Sequence, residues 1–163
     1  MKTFDNTLVE ESRDERGRAA VATTSFGSGG LHLISSHEMQ SLRNALIKGA
    51  LPQDFEAKLR KLANQTLLHR FVEQSCRLCV ALLQSSYEGS FGEASPTECE
   101  RLLRVLAYVR KDDDVMPDYK PGGFLDDQQE VRMATAELGP LLQTFKAWRL
   151  RHQVPAMWES FCQ

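Results

Sequence analysis

The chain has 163 residues, 42% of them hydrophobic and 26% charged, with a formal charge of -2. That is one domain's worth of sequence, able to bury roughly two thirds of its unfolded surface. The composition excludes a fibrous chain and a wholly disordered one, and the slight acidity argues against a basic nucleic-acid binder.

The first 34 residues read as a flexible tail. Thr23 to Gly30 is a run of Thr, Ser and Gly around a single Phe26, and few bulky apolar residues precede it to offset the entropy of ordering. No secretory signal is read at the start, because acids and bases alternate up to Arg18 with no apolar stretch among them. The body is then expected over residues 35–163 as an all-α bundle of about five helices. Ser35 and Glu38 form a capping box, Met39, Leu42, Leu46 and Ile47 follow at helical spacing, and Gly49 stops the helix.

Leu51-Pro52 starts the next element, and from Phe55 to Leu83 the pattern is helical. Phe55, Leu59, Leu62, Thr66, His69, Cys76, Val80 and Leu83 fall on one stripe, with Leu67, Phe71, Leu78 and Leu82 on the other side. A helix apolar on two sides belongs at the centre of its bundle. Unbroken, it would span roughly 50 Å, so a bend or break is expected near Asn64-Gln65-Thr66. Ser95-Pro96-Thr97-Glu98 combines an N-cap serine, a first-turn proline and a capping-box glutamate, and Leu102, Leu103, Leu106 and Val109 form the buried face behind it. Residues 112–125 are irregular. Asp126-Asp127 reopens a helix, Gly139-Pro140 ends or kinks it, and the last helix carries Leu141, Leu142, Phe145 and Trp148 until Pro155 stops it. No segment shows the alternation of a strand, and no internal repeat is present.

Chemistry concentrates between Tyr108 and Val131. From Asp112 to Glu130 there are seven acids against one base, Lys120. Tyr108, Asp114, Pro117, Asp118, Tyr119, Pro121, Gly123, Phe124, Asp126, Asp127 and Val131 occur in an order that resembles the YkvA-like small domain of unknown function. The likeness covers roughly residues 67–135. Two departures stand out: Lys111-Asp112 occupies the place of the family's Ser-Pro, and the loop to the glycine is one residue shorter. Membership would imply a helical fold and no known activity, substrate or catalytic residue.

The aspartates have two readings. As oxygen donors, Asp114, Asp118, Asp126 and Asp127 would suit Mg²⁺ or Ca²⁺, although the spacing is not that of an EF-hand. As structural groups, Asp126 or Asp127 would cap a helix, and Asp114 and Asp118 would accept amides in turns stiffened by Pro117 and Pro121. The structural reading is preferred.

Other constellations are weaker. His69, Cys76, Cys79 and Cys99 could supply zinc ligands, but structural zinc pairs its ligands across a turn rather than along one helix. Cys76-Arg77-Leu78-Cys79 is placed mid-helix, where no dipole activates a thiol. Lys146, Arg149, Arg151 and His152 beside Phe145 and Trp148 could form a basic-aromatic patch for anionic lipid, or else a solvated face over core aromatics. No nucleophile elbow or phosphate loop is present. The expectation is a cytoplasmic, non-enzymatic interaction module with a protein partner, built around a rigid Asp/Pro loop, with no cofactor and no nucleic acid. The alternatives are a divalent-metal protein, possibly hydrolytic, and a peripheral membrane protein.

Overall fold

The structure is a computed structural model that describes residues 34–111 and 123–159, with side chains as far as His152. The tail expectation and the centre of the aspartate segment, with Asp114, Pro117, Asp118, Tyr119 and Pro121, lie outside the described residues. The fold is all-α. Among the described residues there are six helices: α1 (Ser36–Ile47), α2 (Gln53–Ala63), α3 (Leu67–Glu88), α4 (Pro96–Arg110), α5 (Leu125–Glu137) and α6 (Gly139–Glu159).

Both capping boxes form. Ser35 Oγ accepts the Glu38 amide at 3.2 Å while Glu38 Oε2 accepts the Ser35 amide at 2.7 Å. Ser95 and Glu98 repeat the arrangement at 3.2 and 2.8 Å, with Pro96 in the first turn. The expected interruption in the long helical stretch is a full break. Asn64 closes α2, and Thr66 opens α3 by taking the His69 amide on its hydroxyl. Thr66 therefore leaves the apolar stripe to serve as a cap. Gly89 ends α3 in the left-handed region, at φ 80°, which a side chain would resist.

Helix α3 is the axis of the bundle, and each of the other five helices packs against it. Its buried positions are Val72, Glu73, Cys76, Cys79, Leu82 and Leu83. Leu67, read as part of an apolar face, is 79% exposed, because it stands in the first turn of α3, beyond the reach of its neighbours. Ile47 is likewise exposed in the last turn of α1. On α4 the expected face of Leu102, Leu103, Leu106 and Val109 is buried, together with Val105, Ala107 and Tyr108.

Leu138 closes α5 and Gly139 opens α6, so Gly139-Pro140 separates two helices rather than kinking one. Pro155 does not stop α6, which runs on to Glu159. A proline removes one hydrogen bond, the one to the carbonyl four residues earlier, and a helix can continue around that gap.

Candidate functional site

The described ends of the aspartate segment meet at one point in the fold. Lys58 lies on the buried stripe of α2 between Phe55, Leu59 and Leu62 and is only 8% exposed. Its ammonium donates to the Lys111 carbonyl at 2.9 Å. It also pairs with Asp127 Oδ2 at 3.3 Å. Lys111 is the residue just after α4, and Asp127 stands in the first turn of α5. One buried cation therefore holds both borders of segment 112–122. The ammonium also lies 5.6 Å from the centre of the Phe124 ring, on the negative face that attracts a cation.

A second tie runs parallel to it. Tyr108, in the last turn of α4, donates its hydroxyl to Asp126 Oδ2 at 2.9 Å. His69 completes the corner: its Nδ1 lies 2.9 Å from the Thr66 hydroxyl, and its ring meets Phe124 edge-on at 5.1 Å between centroids. The start of α3 is thereby fastened to the start of α5.

Neither aspartate is the helix cap. Phe124 holds that position without a side-chain bond, which puts Asp126 and Asp127 second and third in the helix. From there their carboxylates reach α4 and α2 instead of the free amides. Asp127 is fully buried. An ion that far from water costs several kcal/mol to desolvate, so it persists only when its partners are well placed.

Of the residues singled out in the sequence, Tyr108, Phe124, Asp126 and Asp127 come together here, and Gly123 is buried beside them. Lys58 and Glu130 were not anticipated, although both leave a signal. Lys58 is the one charged side chain on the Phe55, Leu59, Leu62 stripe, and Glu130 follows Asp126 by one turn on the face that carries Val131 and Ala134. Glu130 is 3% exposed, and burial raises its carboxyl from the ordinary 4.5 to about 7. Arg101 pulls that value down and Asp126 pushes it up.

The thiols are quiet. Burial drives the Cys76 pKa far upward, aided by Cys79 and Asp127 and opposed by Lys58. Burial alone takes Cys79 to about 12. Both are protonated core residues, and the Cys-x-x-Cys spacing provides no reactive thiolate. Among the described residues no three His, Cys, Asp or Glu side chains converge where a metal ion could sit. That applies to His69, Cys76, Cys79 and Cys99, and to Asp126 with Asp127.

Phe145 and Trp148 of the last helix pack on the core. Phe145 is fully buried, and Trp148 is half-buried, stacked on Phe145 at 5.6 Å and edge-on to Phe91 at 5.5 Å. Lys146, Arg149 and Arg77 rim a shallow groove between α3 and α6 with Phe71, Leu78 and Ala81 in its floor. Among the described residues no helix is long and apolar enough to cross a membrane.

No family model, curated protein or solved structure matches the chain.

Proposed function

We propose that the chain is a non-enzymatic, cytoplasmic interaction module, similar in design to the YkvA-like domain, that presents its aspartate-proline segment to a protein partner. The observation that supports this reading is the double grip of Lys58 on the Lys111 carbonyl and the Asp127 carboxylate. The residues on either side of the segment are thereby fixed in position by one buried cation, and preorganisation of that kind lowers the entropy lost on binding. The acids of the segment give it a strongly negative character, suited to a basic surface on the partner.

The divalent-cation alternative draws on the same aspartates. Asp126 and Asp127 weigh against it, since Tyr108 and Lys58 each engage one oxygen of these carboxylates. The membrane alternative needs exposed aromatics beside Lys146 and Arg149, whereas Phe145 and Trp148 pack inward.

The reading is tested by a loop variant carrying Asp114→Asn, Asp118→Asn and Tyr119→Ala. Partners are captured from cytoplasm, purified, and their binding measured directly against wild type and against Arg60→Gln, an exposed control on α2. The expected result is a loss of affinity of at least about tenfold for the loop variant, with its melting temperature within a few degrees of wild type. Equal affinity of wild type and loop variant would overturn the reading.

A further inference from the structure

Helix α3 is apolar on two sides, and its second side is only partly covered by the bundle. Phe71, Leu78 and Ala81, all half-buried, form the floor of the groove between α3 and α6. Among the described residues only these two helices line it. The groove has a volume of about 630 Å³. From Phe71 to Ala81 the helix rises about 15 Å, the length of roughly three helical turns. A trough that long and shallow would leave a small molecule largely in water, whereas small-ligand sites bury most of their occupant. It suits an element of a macromolecule.

The charges around the floor are unequal. Glu73 pairs with Arg77, and Arg77 also donates to Glu56 at 3.1 and 3.2 Å. On the facing helix Lys146 and Arg149 stand one turn apart, and neither forms an ion pair with a carboxylate among the described residues. Arg149 lies over the Phe145 ring at 5.9 Å, a contact that steadies the guanidinium and leaves its edge donors to other groups. Three cations against the single carboxylate of Glu73 leave a surplus of two positive charges along the groove, on a chain whose total is -2. Leu150, 68% exposed, follows Lys146 by one turn and extends the apolar surface on that edge.

Unpaired cations beside an apolar floor are complementary to a ligand that carries carboxylates and apolar side chains together. An anionic lipid surface would use the cations but not the floor, whose side chains lie sunk in a trough rather than raised for insertion. An amphipathic helix uses both, with apolar anchors at i, i+4 and i+7 laid in the trough and acids along their flank.

We propose that the α3–α6 groove is a docking site for an acidic amphipathic helix of a protein partner, with Phe71 and Leu78 receiving its apolar anchors and Lys146 and Arg149 its carboxylates. The site shares no residue with the aspartate segment, and its ligand is opposite in charge to the basic surface which that segment suits. The two readings therefore stand or fall separately.

The test uses the full chain and a phage-displayed library of helical peptides about 14 residues long, with leucine fixed at i, i+4 and i+7 and every other position randomised. Selected sequences should be rich in Asp and Glu. Titrating one of them, as a synthetic peptide, should move the amide NMR signals of Phe71, Leu78, Ala81 and Arg149. Lys146→Glu with Arg149→Glu should weaken that peptide at least about tenfold, and a peptide with its acids changed to lysine should bind this variant better than wild type. Lys61→Glu with Arg132→Glu makes the same change in net charge at exposed positions outside the groove, and should leave binding within about twofold. Should the double reversal fail to fold, Lys146→Glu alone, at an exposed position, should still weaken the peptide at least about threefold. Selection of no acidic sequence, signals that move elsewhere, or an affinity untouched by the charge reversals overturns the proposal.

Three rival occupants are read on the same samples, and each would also overturn it. Binding to phosphatidylserine-containing vesicles that the double reversal abolishes, with no acidic peptide selected, assigns the groove to a membrane. A concentration-dependent dimer in sedimentation that the double reversal abolishes assigns it to a second copy. Movement of the Phe71 and Leu78 signals on changing Asp5→Asn, Glu10→Gln and Glu11→Gln, with no peptide added, assigns it to the chain's own first residues.

Discussion

Helices α4 and α5 open by opposite means. At α4 everything needed lies within four consecutive residues: Ser95 and Glu98 exchange their bonds, Pro96 fits the first turn, and the whole arrangement is exposed to solvent. At α5 the cap position holds a phenylalanine with no side chain to offer the free amides. What fixes α5 comes from elsewhere in the chain, as Tyr108 reaches Asp126 and Lys58 reaches Asp127. The first start is a local device that would work in an isolated peptide. The second exists only once α2, α4 and α5 have assembled, so it reports tertiary structure.

The largest effect that would break this contrast is at Lys58. Replacing it with methionine keeps the length of the stem but leaves the fully buried Asp127 without its cation and the Lys111 carbonyl without its donor. Removing one partner of a buried pair typically costs about 3–5 kcal/mol. Lys58→Met should therefore show a lowered denaturant midpoint of that order. Lys58→Met combined with Asp127→Leu should recover part of the loss, because no charge is left stranded. A double variant as unstable as the sum of the singles would show that the pair is not coupled.

The same contrast explains what the sequence made legible. Both capping boxes, the break at residues 64–66 and the central place of the long apolar helix were readable, since each depends on residues within a turn or two of one another. The partners of the aspartates were not. Asp126 and Asp127 look like caps because acids at helix starts usually are; that Phe124 takes the cap position depends on how α5 docks against His69 and Lys58. Lys58 was hidden among ordinary surface lysines, and only its position on the Phe55, Leu59, Leu62 stripe sets it apart. Pro155 misled for a similar reason. It looks like a stop from composition, yet a helix loses one bond to it and continues.

Next in size is a direct measurement of the two starts side by side. Ser95→Ala removes a single exposed cap and should cost about 1 kcal/mol. Tyr108→Phe removes the hydroxyl that holds Asp126 from a side chain only 1% exposed, and a lost bond to a charged acceptor is worth about 1.5–3 kcal/mol. Chemical denaturation of the two variants should rank Tyr108→Phe as the more damaging. The reverse order would mean that α5 is held mainly by its own local preferences.

The smallest effect sharpens the comparison most, because it separates geometry from charge. If Asp126 serves Tyr108, an asparagine there still offers an oxygen to the hydroxyl. Asp126→Asn then keeps a weaker, neutral hydrogen bond to the hydroxyl and loses the attraction between a carboxylate and the positive end of the α5 dipole, about 0.3–1 kcal/mol, whereas Asp126→Ala loses that dipole attraction and the whole bond to a charged acceptor, about 1.5–3 kcal/mol for the bond. EDTA should leave the melting temperature of wild type unchanged. If a divalent cation held this corner instead, the oxygen's charge would be indispensable. Asparagine would then be nearly as damaging as alanine, and EDTA would lower the melting temperature until Mg²⁺ or Ca²⁺ was returned. Thermal melts of wild type and both variants, each with and without chelator, distinguish the two. A mild asparagine, a severe alanine and a silent chelator are the expected set, and joint failure of the first and third would transfer Asp126 and Asp127 from the clamp to a metal site.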